Sequence, residues 1–524
     1  MEIIQDKALL LRLKNPDPVL ATIPKSKLVK EEDGVSEVLV KWGLDEAQTL
    51  KKLQIKNVPS PIRRDYKWTG FHKPMSHQID TAAFLTLHKR AFCFNEQGTG
   101  KTASCIWAAD YLMKQGLIKR VLIICPLSIM QSAWQNDLFS FAMHRRVDIA
   151  YGSPKKRKEI IGGDAEFVII NYDGVEIVKD AIAEANFDLV VVDEANAYKN
   201  PSTNRWKTLH KLLTPETWLW MLTGTPAAQS PLDAYGLAKL VCPERVPRFQ
   251  TGWKDLVMVQ VSKYQWLPKR NSVDIVHQAL QPAIRFTKEQ CLDLPEVTHI
   301  TRLVPLTKQQ EFYYKKIRDD QLVHAADELI SAVNAATVMN KLLQLSCGAV
   351  YSDMGEVVAF DGQNRMNVML EVIQEASNKI LVFVPFRHAI EAVSEFLTAN
   401  NITNEIISGE VSAGKRAEIF QKFQQTDEPR VLVIQPQSAA HGVTLTRADT
   451  IIWFGPTLSL ETYLQANARA HRKGQVNKLT VVHLQGSNVE AKVYTSLSKK
   501  QDVHSKIVEL FYNEVDKVHI ESHT

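Results

Sequence analysis

Short apolar runs recur along the chain in two series, and most precede a segment whose apolar residues have helical spacing. Because these runs are apolar at every position rather than at alternate ones, they predict strands buried on both faces of a parallel sheet. Two of the segments that follow them, Thr102–Met113 and Ile129–Phe141, predict helices. The first series predicts the strands Ala91–Phe94, Val121–Cys125, Phe167–Ile170, Leu189–Val192 and Trp218–Leu222.

A second series of apolar runs predicts a second lobe of the same kind. Between the two series the patterns are mainly helical, and Lys308–Asp320 and Asp327–Leu345 are the clearest cases. Strands that alternate with helices in this way are typical of α/β domains. The second series predicts the strands Ile380–Val384, Glu405–Ile407, Val431–Ile434, Thr450–Phe454 and Leu479–Leu484.

These patterns divide the chain into five parts. We predict a small N-terminal accessory element, a first lobe, a mostly helical bridge joined to the second lobe, the second lobe itself, and a helical tail packing on it. Within the first part, Leu9–Leu13 and Val38–Trp42 predict strands and Asp45–Leu53 predicts a helix. The five parts span residues 1–68, 69–245, 246–366, 367–487 and 488–524.

Composition indicates the class of protein but does not identify its binding partners. A chain of 524 residues with 45% hydrophobic and 23% charged residues is typical of a globular protein of two or three domains. The net charge of +5 permits nucleic-acid binding without requiring it. The six cysteines are scattered and form no CxxC pair, which favours free thiols over a zinc site or disulfides. With neither a signal peptide nor a long apolar run, we expect a soluble intracellular protein without a membrane partner.

A glycine-rich segment lies between the first predicted strand and the helix after it. Gly98, Thr99 and Gly100 precede Lys101 and Thr102, and Gly-rich turns in this context present backbone N–H groups to phosphate. Lys101 would contact the β- and γ-phosphates of ATP, and the Thr102 hydroxyl would bind Mg²⁺. The strict pattern has glycine at position 95, where this chain has asparagine. The segment therefore predicts an ATP site of the looser GxGKT form.

Two adjacent carboxylates, Asp193 and Glu194, end the predicted strand Leu189–Val192. Ligands of α/β sheets bind at the carboxyl ends of the strands. We therefore expect Asp193 to hold Mg²⁺ through water, and Glu194 to position and deprotonate the water that attacks ATP.

A basic segment near the end of the second lobe contains candidate residues for stabilising the charge that develops during ATP hydrolysis. Gln465, Arg469 and Arg472 share one face of a predicted helix. Guanidinium groups presented to ATP from a separate lobe would stabilise the charge on the transferring phosphoryl group, so that hydrolysis requires lobe closure.

With further motifs in the same order, the chain resembles the Snf2 family of superfamily 2 helicase-like ATPases, which translocate on double-stranded DNA. The likeness extends from about Phe71 to about Leu497 and implies two RecA-like lobes with parallel sheets flanking an ATP cleft. Within the family, the chain resembles the short Snf2-like proteins of bacteria and their phages more than nuclear remodellers. The motifs that carry it, besides those above, are His72–Gln78, Ile124–Ser128 with Trp134, Asn171-Tyr172, Tyr198–Thr203, Leu222–Pro226, Arg285–Lys288, Val382–Pro385, Ser408-Gly409 and Gly442–Leu445.

The resemblance implies further roles for single residues. Gln78 would recognise adenine with Phe71 stacking nearby, and Gly442 would complete the ATP site. Asn196, Thr223 and Thr225 would couple hydrolysis to the grip on DNA. The residues implied in contacts with the DNA backbone are Ser128, Gln131, Asn171, Arg387, Gln435 and Thr444.

Three positions depart from the family pattern. Asn196 replaces the usual histidine of the acidic motif, and Leu458 stands where relatives carry a tryptophan. Ala439-Ala440-His441 replaces a glycine-rich stretch that lies beside DNA and nucleotide in the family. These departures concern the coupling between hydrolysis and movement.

The resemblance implies a DNA-dependent ATPase that uses ATP and Mg²⁺ and steps along duplex DNA as its two lobes open and close. The alternatives are a strand-separating helicase or a branched-DNA annealing motor, a restriction-system motor subunit, and a degenerate ATPase serving as a DNA- or protein-binding scaffold. We expect sequence-independent backbone contacts to duplex DNA, with branched or single-stranded DNA as further partners. We expect a monomer in the bacterial cytoplasm, or in the host cytoplasm if a phage encodes it.

Basic and aromatic clusters complete the candidates. The run Lys155–Lys158 follows Tyr151–Ser153 in a predicted loop, where it is either a solvated face or a contact to the DNA backbone. The same alternatives hold for Arg63-Arg64. Trp206, Trp218 and Trp220 are expected in the core rather than as platforms for stacked bases.

Overall fold

A computed structural model describes residues 1–224, 230–261, 266–291, 294–327, 332–351, 357–439, 443–472 and 474–499. The predictions for Thr225, Gly442 and the tail beyond residue 499 lie outside this part. The described residues form two compact units. Unit 1 comprises those within Met1–Pro226, Asp233–Lys254 and Val273–Cys291, and unit 2 those within Ala227–Leu232, Asp255–Ser272 and Leu292–Thr524.

An antiparallel four-stranded sheet begins unit 1, in the order β1-β2-β4-β3. Both predicted strands and the predicted helix of this region are confirmed. Leu9 and Val40 are buried in the same apolar cluster as Leu85 and Ala108 of the α/β part, so the accessory element shares one core with lobe 1. The strands are β1 (Glu2–Ile4), β2 (Ala8–Leu13), β3 (Ser26–Glu32) and β4 (Val35–Lys41).

The main sheet of unit 1 has seven parallel strands in the order β13-β5-β10-β9-β6-β8-β7. All five predicted strands are confirmed. Two more, β7 and β13, occupy the edges, and β13 comes from the part predicted as a helical bridge. The strands are β5 (Arg90–Cys93), β6 (Val121–Cys125), β7 (Val147–Ile149), β8 (Phe167–Asn171), β9 (Leu189–Asp193), β10 (Trp218–Leu222) and β13 (Ala283–Ile284).

Helices connect these strands. The segment predicted as one helix, Ile129–Phe141, has a 3₁₀ turn at its start and a π-helical turn at Met130–Gln135, and becomes α-helical only at Asn136. The helices up to residue 291 are α1 (Asp17–Thr22), α2 (Leu44–Lys52), α3 (Ile62–Asp65), α4 (Ser76–Leu87), α5 (Lys101–Lys114), α6 (Asn136–Ala142), α7 (Pro154–Ile161), α8 (Tyr172–Ile177), α9 (Lys179–Ala185), α10 (Asn204–Leu212), α11 (Ala234–Val241), α12 (Gln250–Val257), α13 (Ser272–Ala279) and α14 (Lys288–Cys291).

Unit 2 contains a six-stranded parallel sheet in the order β14-β21-β20-β17-β19-β18. Leu381 and Phe383 pack into one apolar cluster and Ile380 and Val382 into another, so this sheet is buried on both faces, as the continuous apolar runs predict. The five predicted strands are confirmed, and β14 is an additional edge strand. The strands are β14 (Val297–Leu303), β17 (Lys379–Phe383), β18 (Asn404–Ile407), β19 (Val431–Ile434), β20 (Ala448–Trp453) and β21 (Leu479–Gln485).

The bridge is helical in its second half, but it also supplies β13, β14 and two short hairpins. These are β11 (Met258–Gln260) with β12 (Trp266–Pro268), and β15 (Ala349–Tyr351) with β16 (Val357–Ala359). No helix in the described ranges is both long and apolar enough to cross a membrane. The helices of unit 2 are α15 (Lys308–Asp327), α16 (Ala332–Ser346), α17 (Gln363–Glu375), α18 (Arg387–Ala399), α19 (Ala413–Gln425), α20 (Leu460–Asn467) and α21 (Asn488–Ser498).

Candidate nucleotide and DNA site

The glycine-rich loop of unit 1 has the geometry of a phosphate cradle. Gly98 and Gly100 have φ values of +86° and +79°, which side chains with a Cβ rarely adopt. A Cβ at Gly100 would also lie 2.0 Å from Nε2 of Gln78. Helix α5 begins at the next residue, so its free N-terminal N–H groups lie beside the loop.

Lys101 lies between the loop and the acidic strand end. Its Nζ donates a hydrogen bond to the carbonyl oxygen of Asn95 at 2.9 Å. Its positive charge lowers the pKa of the Asp193 carboxyl, against the effect of burial.

Asn95, at the position where the strict pattern has glycine, is buried and forms three hydrogen bonds. Its Nδ2 donates to Oγ1 of Thr81 at 2.8 Å, and its Oδ1 accepts from the backbone N of Phe286 at 3.0 Å. Its carbonyl accepts from Lys101. The side chain thus joins the loop entrance to α4 and to the segment after β13.

Asp193 is buried at the end of β9. Its Oδ2 accepts a hydrogen bond from Nε1 of Trp134 at 2.9 Å, and its Oδ1 accepts from the backbone N of Glu194 at 2.9 Å. Burial raises the pKa of the Asp193 carboxyl, although the Lys101 charge and these two donors oppose the shift. A positive charge near this buried carboxyl therefore stabilises its ionised form.

Glu194 follows in the left-handed conformation, with φ +48° and ψ 54°. Its Oε1 accepts from Nε2 of Gln97 at 3.2 Å. The Tyr172 hydroxyl donates to the Asp193 carbonyl at 2.6 Å and so supports this turn. Sequence reasoning missed Gln97 and Tyr172, although Gln97 directly precedes the glycine-rich segment and Tyr172 lies inside a motif that it singled out.

The oxygen ligands available for a metal ion suit Mg²⁺. Thr102, the second residue of α5, offers a hydroxyl, and Asp193 offers a carboxylate. In the described part of the chain no group of three or more His, Cys, Asp or Glu side chains could hold a metal ion. Mg²⁺ is commonly held by one or two carboxylates together with substrate phosphates and water, so this donor set fits it.

The residues predicted to recognise adenine differ in exposure. Gln78 is buried at the start of α4, and its Oε1 accepts from the backbone N of Met75 at 2.9 Å. Phe71 is 69% exposed. His77, which the motif contains but which was given no role, bonds through Nε2 to the carbonyl of Thr99 at 2.8 Å. Helix α4 is therefore fastened directly to the phosphate loop.

The DNA contacts predicted in unit 1 lie on two elements. Ser128 and Gln131 are exposed on the 3₁₀ and π-helical turns that follow β6. Asn171 instead uses its side chain within the fold, because Oδ1 accepts from Nη1 of Arg157 at 2.9 Å.

The basic run Lys155–Lys158 is helical, which corrects the loop prediction. Ser153 caps α7 by accepting from the backbone N of Lys156, and Pro154 occupies its first position. Arg157 is 6% exposed and also donates to the carbonyls of Ala150 and Gly152. Only the lysines of this run face solvent.

The residues of unit 1 predicted to couple hydrolysis to DNA binding lie at and next to the acidic turn. Asn196 belongs to a 3₁₀ turn at Ala195–Tyr198 directly after Glu194. Thr223 is buried, and its backbone N donates to the carbonyl of Cys93 at 3.0 Å. Trp206, Trp218 and Trp220 are buried, as predicted.

The arginine segment of unit 2 differs from the predicted helix. Helix α20 contains Gln465 but ends at Asn467, and a turn carries Arg469 and Arg472. The two guanidinium groups converge, because Nη1 of each donates to the carbonyl of Val443, at 3.5 Å and 3.1 Å. Nε2 of Gln465 donates to Oε1 of Glu461 at 3.1 Å.

Two of the three DNA contacts predicted in unit 2 follow the carboxyl ends of strands, and the third, Thr444, precedes β20. Arg387 follows β17 and forms an ion pair with Glu410. Gln435 follows β19, and its Oε1 accepts from the backbone N of Gly409 at 3.3 Å. Thr444 is exposed next to Val443.

Comparison with protein families identifies the class. The model of the SNF2-related domain matches residues 77–348, and that of the helicase conserved C-terminal domain matches residues 364–474. The first match alone covers more than half of the chain. The protein therefore belongs to the SNF2-related helicase family, and its two parallel-sheet units agree with the predicted RecA-like lobes.

Individual relatives are distant and longer. An uncharacterized ATP-dependent helicase of Mycoplasma genitalium is 27% identical over 79% of this chain and 40% of its own length. The chromodomain-helicase-DNA-binding protein 1-like of Danio rerio is 26% identical over 83% of this chain and 44% of its own length. The chain thus spans about two fifths of the length of these relatives.

Among solved structures, the SWI2/SNF2 ATPase core of Sulfolobus solfataricus in complex with dsDNA is similar to this chain. It shares 22% identity with a TM-score of 0.42, covering 84% of this chain and 94% of that one.

Proposed function

We propose that the protein is a DNA-dependent ATPase that translocates on double-stranded DNA, with ATP hydrolysis coupled to opening and closing of its two lobes. The observation that carries this proposal is the glycine-rich loop at the start of α5, which lies beside the acidic turn because Nε2 of Gln97 donates to Oε1 of Glu194 at 3.2 Å. Membership of the SNF2-related family supports the choice of nucleotide and of DNA as the polymer.

In this proposal ATP binds to unit 1. The N–H groups of the loop at Gly98–Gly100 and the Lys101 ammonium bind its phosphates, and Gln78 recognises adenine with Phe71 nearby. Thr102 and Asp193 hold Mg²⁺, which neutralises phosphate charge. Gly442, outside the described residues, is proposed to complete the site.

Hydrolysis requires a base and a stabiliser of charge. Glu194 orients the attacking water and accepts its proton. Arg469 and Arg472, with Gln465, bind the transferring phosphoryl group from the second lobe when the lobes close. Their convergence on one carbonyl supports a shared target.

The proposed partner is duplex DNA, held by its backbone. Ser128, Gln131 and Thr444 are exposed and present hydroxyl or amide groups to phosphates. Asn171, Arg387 and Gln435 also belong to this surface. Asn196, Thr223 and Thr225 transmit nucleotide state to it. We further propose a monomer of the five parts given above, acting in the cytoplasm.

The test is the rate of phosphate release from ATP with duplex DNA, single-stranded DNA, forked DNA or RNA. We expect duplex DNA to stimulate release most and Lys101→Ala to abolish it. Lys119→Ala, which removes an exposed lysine near the end of α5, is the matched control and should keep the wild-type rate. Stimulation by RNA alone would contradict the proposal, and lack of any stimulation would favour a scaffold.

A second assay distinguishes the two kinds of DNA motor. Displacement of a third strand from a triplex reports translocation on duplex DNA, and a forked substrate reports strand separation. We expect ATP-dependent triplex displacement without fork unwinding. Unwinding or annealing of branched DNA without triplex displacement would favour the alternative helicase activities.

A further inference from the structure

A basic cavity lies within unit 2, and none of the residues assigned above lines it. Its volume is about 510 Å³, and it is formed by the end of α19 and by the segments that precede four parallel strands. Lys379, Arg430, Arg447 and Asn477 line it at the amino ends of β17, β19, β20 and β21. We call it the amino-end cavity.

The position separates this cavity from Arg387 and Gln435, two of the three predicted DNA contacts in this unit. The third, Thr444, lies two residues before Thr446 of the cavity wall. In a parallel sheet the amino ends of all strands lie on one side of the sheet, and their carboxyl ends lie on the opposite side. Arg387 and Gln435 follow the carboxyl ends of β17 and β19. The amino-end cavity therefore lies at the end of the strands opposite to Arg387 and Gln435.

The charge of the cavity is positive. Of the described residues, three cationic ones line it (Lys379, Arg430 and Arg447), against one acidic residue, Asp427. Asp427 is 99% exposed and pairs with Nη2 of Arg447 at 3.0 Å, so this one partner is easily exchanged for another anion. Burial, together with the charge of Arg447, lowers the pKa of the Lys379 ammonium, as expected where positive charge is incompletely neutralised.

Two of the three cations are held rigidly. Lys379 is 5% exposed, and its Nζ donates to the carbonyl of Phe423 at 2.8 Å. Nη2 of Arg430 donates to the carbonyls of Ile373 and Ala376, both at 2.9 Å. Their positions are set by the fold, so a ligand would meet a prepared arrangement of charge.

We propose that the amino-end cavity binds a small phosphorylated ligand, with Lys379, Arg430 and Arg447 as the groups that contact its phosphate. Guanidinium groups match phosphate oxygens in geometry and charge, and the amide of Asn477 adds a neutral donor. The volume is within the range of small-ligand sites, about 300–1,000 Å³. A buried lysine in the wall favours a ligand that enters the cavity over a DNA backbone passing outside.

Pyrophosphate is the probe, and calorimetric titration of the full chain at constant ionic strength is the measurement. Because pyrophosphate is also expected at the glycine loop, the titration is made in Lys101→Ala protein. We expect one remaining site, and we expect Arg447→Gln in that background to weaken it at least about tenfold. Arg447 is half exposed, so this variant leaves folding intact.

Lys415→Gln is the control, since Lys415 lies on α19, is exposed, pairs with Glu418 and does not line the cavity. It should bind pyrophosphate as the parent protein does. Lys379→Met, as a second variant, should lose binding with its folding checked by circular dichroism. The absence of a site in Lys101→Ala protein, or equal affinity in Arg447→Gln, would overturn the proposal. So would displacement of pyrophosphate by a short DNA duplex with the same Arg447 dependence.

Discussion

The indole Nε1 of Trp134 donates a hydrogen bond to Oδ2 of Asp193 at 2.9 Å, and both side chains are buried. Trp134 belongs to the π-helical turn Met130–Gln135, which exposes Gln131 to solvent and follows Ser128. One irregular turn thus carries predicted DNA contacts on its surface and a donor to the proposed Mg²⁺ ligand inside. Turns of this kind occur frequently at functional sites.

We expect Trp134→Phe to lower DNA-stimulated ATP turnover about tenfold, because the Asp193 carboxylate loses a fixed donor while most of the ring volume remains. The Mg²⁺ concentration needed for half-maximal rate should rise. Steady-state ATPase measurements over a Mg²⁺ series check both.

The control for this change is Trp206→Phe, which removes another buried indole donor, here bonded to the carbonyl of Gly236. It should leave the Mg²⁺ dependence unchanged. If both variants respond alike to Mg²⁺, the bond to Asp193 has no special part in metal binding.

Arg472→Ala should separate turnover from nucleotide binding. Its guanidinium converges with that of Arg469 on the Val443 carbonyl, and a group of this kind acts on the transition state. We expect kcat to fall on the order of a thousandfold, with nucleotide affinity changed only a few-fold. Single-turnover rates and titration with a fluorescent nucleotide measure the two quantities.

Arg416→Ala offers a matched comparison, because Nε of Arg416 also donates to a backbone carbonyl, that of Val411, in the same unit. Its kcat should stay near the wild-type value. Equal losses of affinity and turnover in Arg472→Ala would argue against a role confined to the transition state.

Arg157→Gln should act on stability rather than on DNA. The side chain is buried and donates to Asn171 and to two carbonyls, so its loss leaves buried acceptors without a donor. We expect the free energy of unfolding to fall by about 3 kcal/mol, as urea denaturation would report.

Lys156→Gln, its exposed neighbour on α7, should change the free energy of unfolding by less than about 0.5 kcal/mol. If this lysine contacts the DNA backbone, the salt dependence of duplex binding becomes shallower by about one counterion. Equal stability of the two variants would show that the Arg157 contacts contribute little.

Asp110 on α5 should make unfolding pH-dependent in acid. It is buried and accepts hydrogen bonds from Tyr66 Oη at 2.7 Å, Arg145 Nε at 2.7 Å and His144 Nε2 at 2.9 Å, and it pairs with Lys114. Burial alone would raise the pKa of this carboxyl, but the hydrogen bonds outweigh it and lower the pKa to about 2.

Because that pKa is below its ordinary value, the stabilisation is complete above about pH 4 and is lost as the pH falls toward 2. Asp110→Asn should therefore cost about 3 kcal/mol near neutral pH and less in acid. Urea denaturation at a series of pH values measures the difference. Asp164→Asn, which removes an exposed partner of Arg146, should cost less than about 1 kcal/mol throughout. A difference for Asp110→Asn that stays constant with pH would contradict the assignment.

The buried strands could be predicted from sequence because each is a continuous apolar run. The edge strands β13 and β14 could not. β13 is two residues long, and β14 is apolar only at Val297, Ile300 and Leu303 and has little burial, so neither has the pattern of a central strand. Both are formed by pairing with neighbours far away in the chain.

The same limit applies to the site. The approach of Lys101 to Asp193 follows from topology, because their strand ends share one edge of the sheet. The turn after α20 does not follow from topology. The helix ends at Asn467, and the carbonyl of Arg469 then accepts a hydrogen bond from the backbone N of Leu445 at 2.9 Å, a contact between segments that the sequence pattern does not reveal. For α7 a usable signal was present in Ser153-Pro154, a typical helix start.

Asn95 gives the departure from the strict glycine pattern a structural meaning. Its side chain occupies space between Thr81 and the backbone of Phe286, and neither contact is available to glycine. Asn95→Gly would therefore restore the strict motif but remove the two hydrogen bonds that this side chain makes with Thr81 and Phe286. Thr81, Asn95 and Phe286 are therefore linked through one side chain, so the glycine-rich loop is joined both to α4 and to the chain that leaves the first sheet.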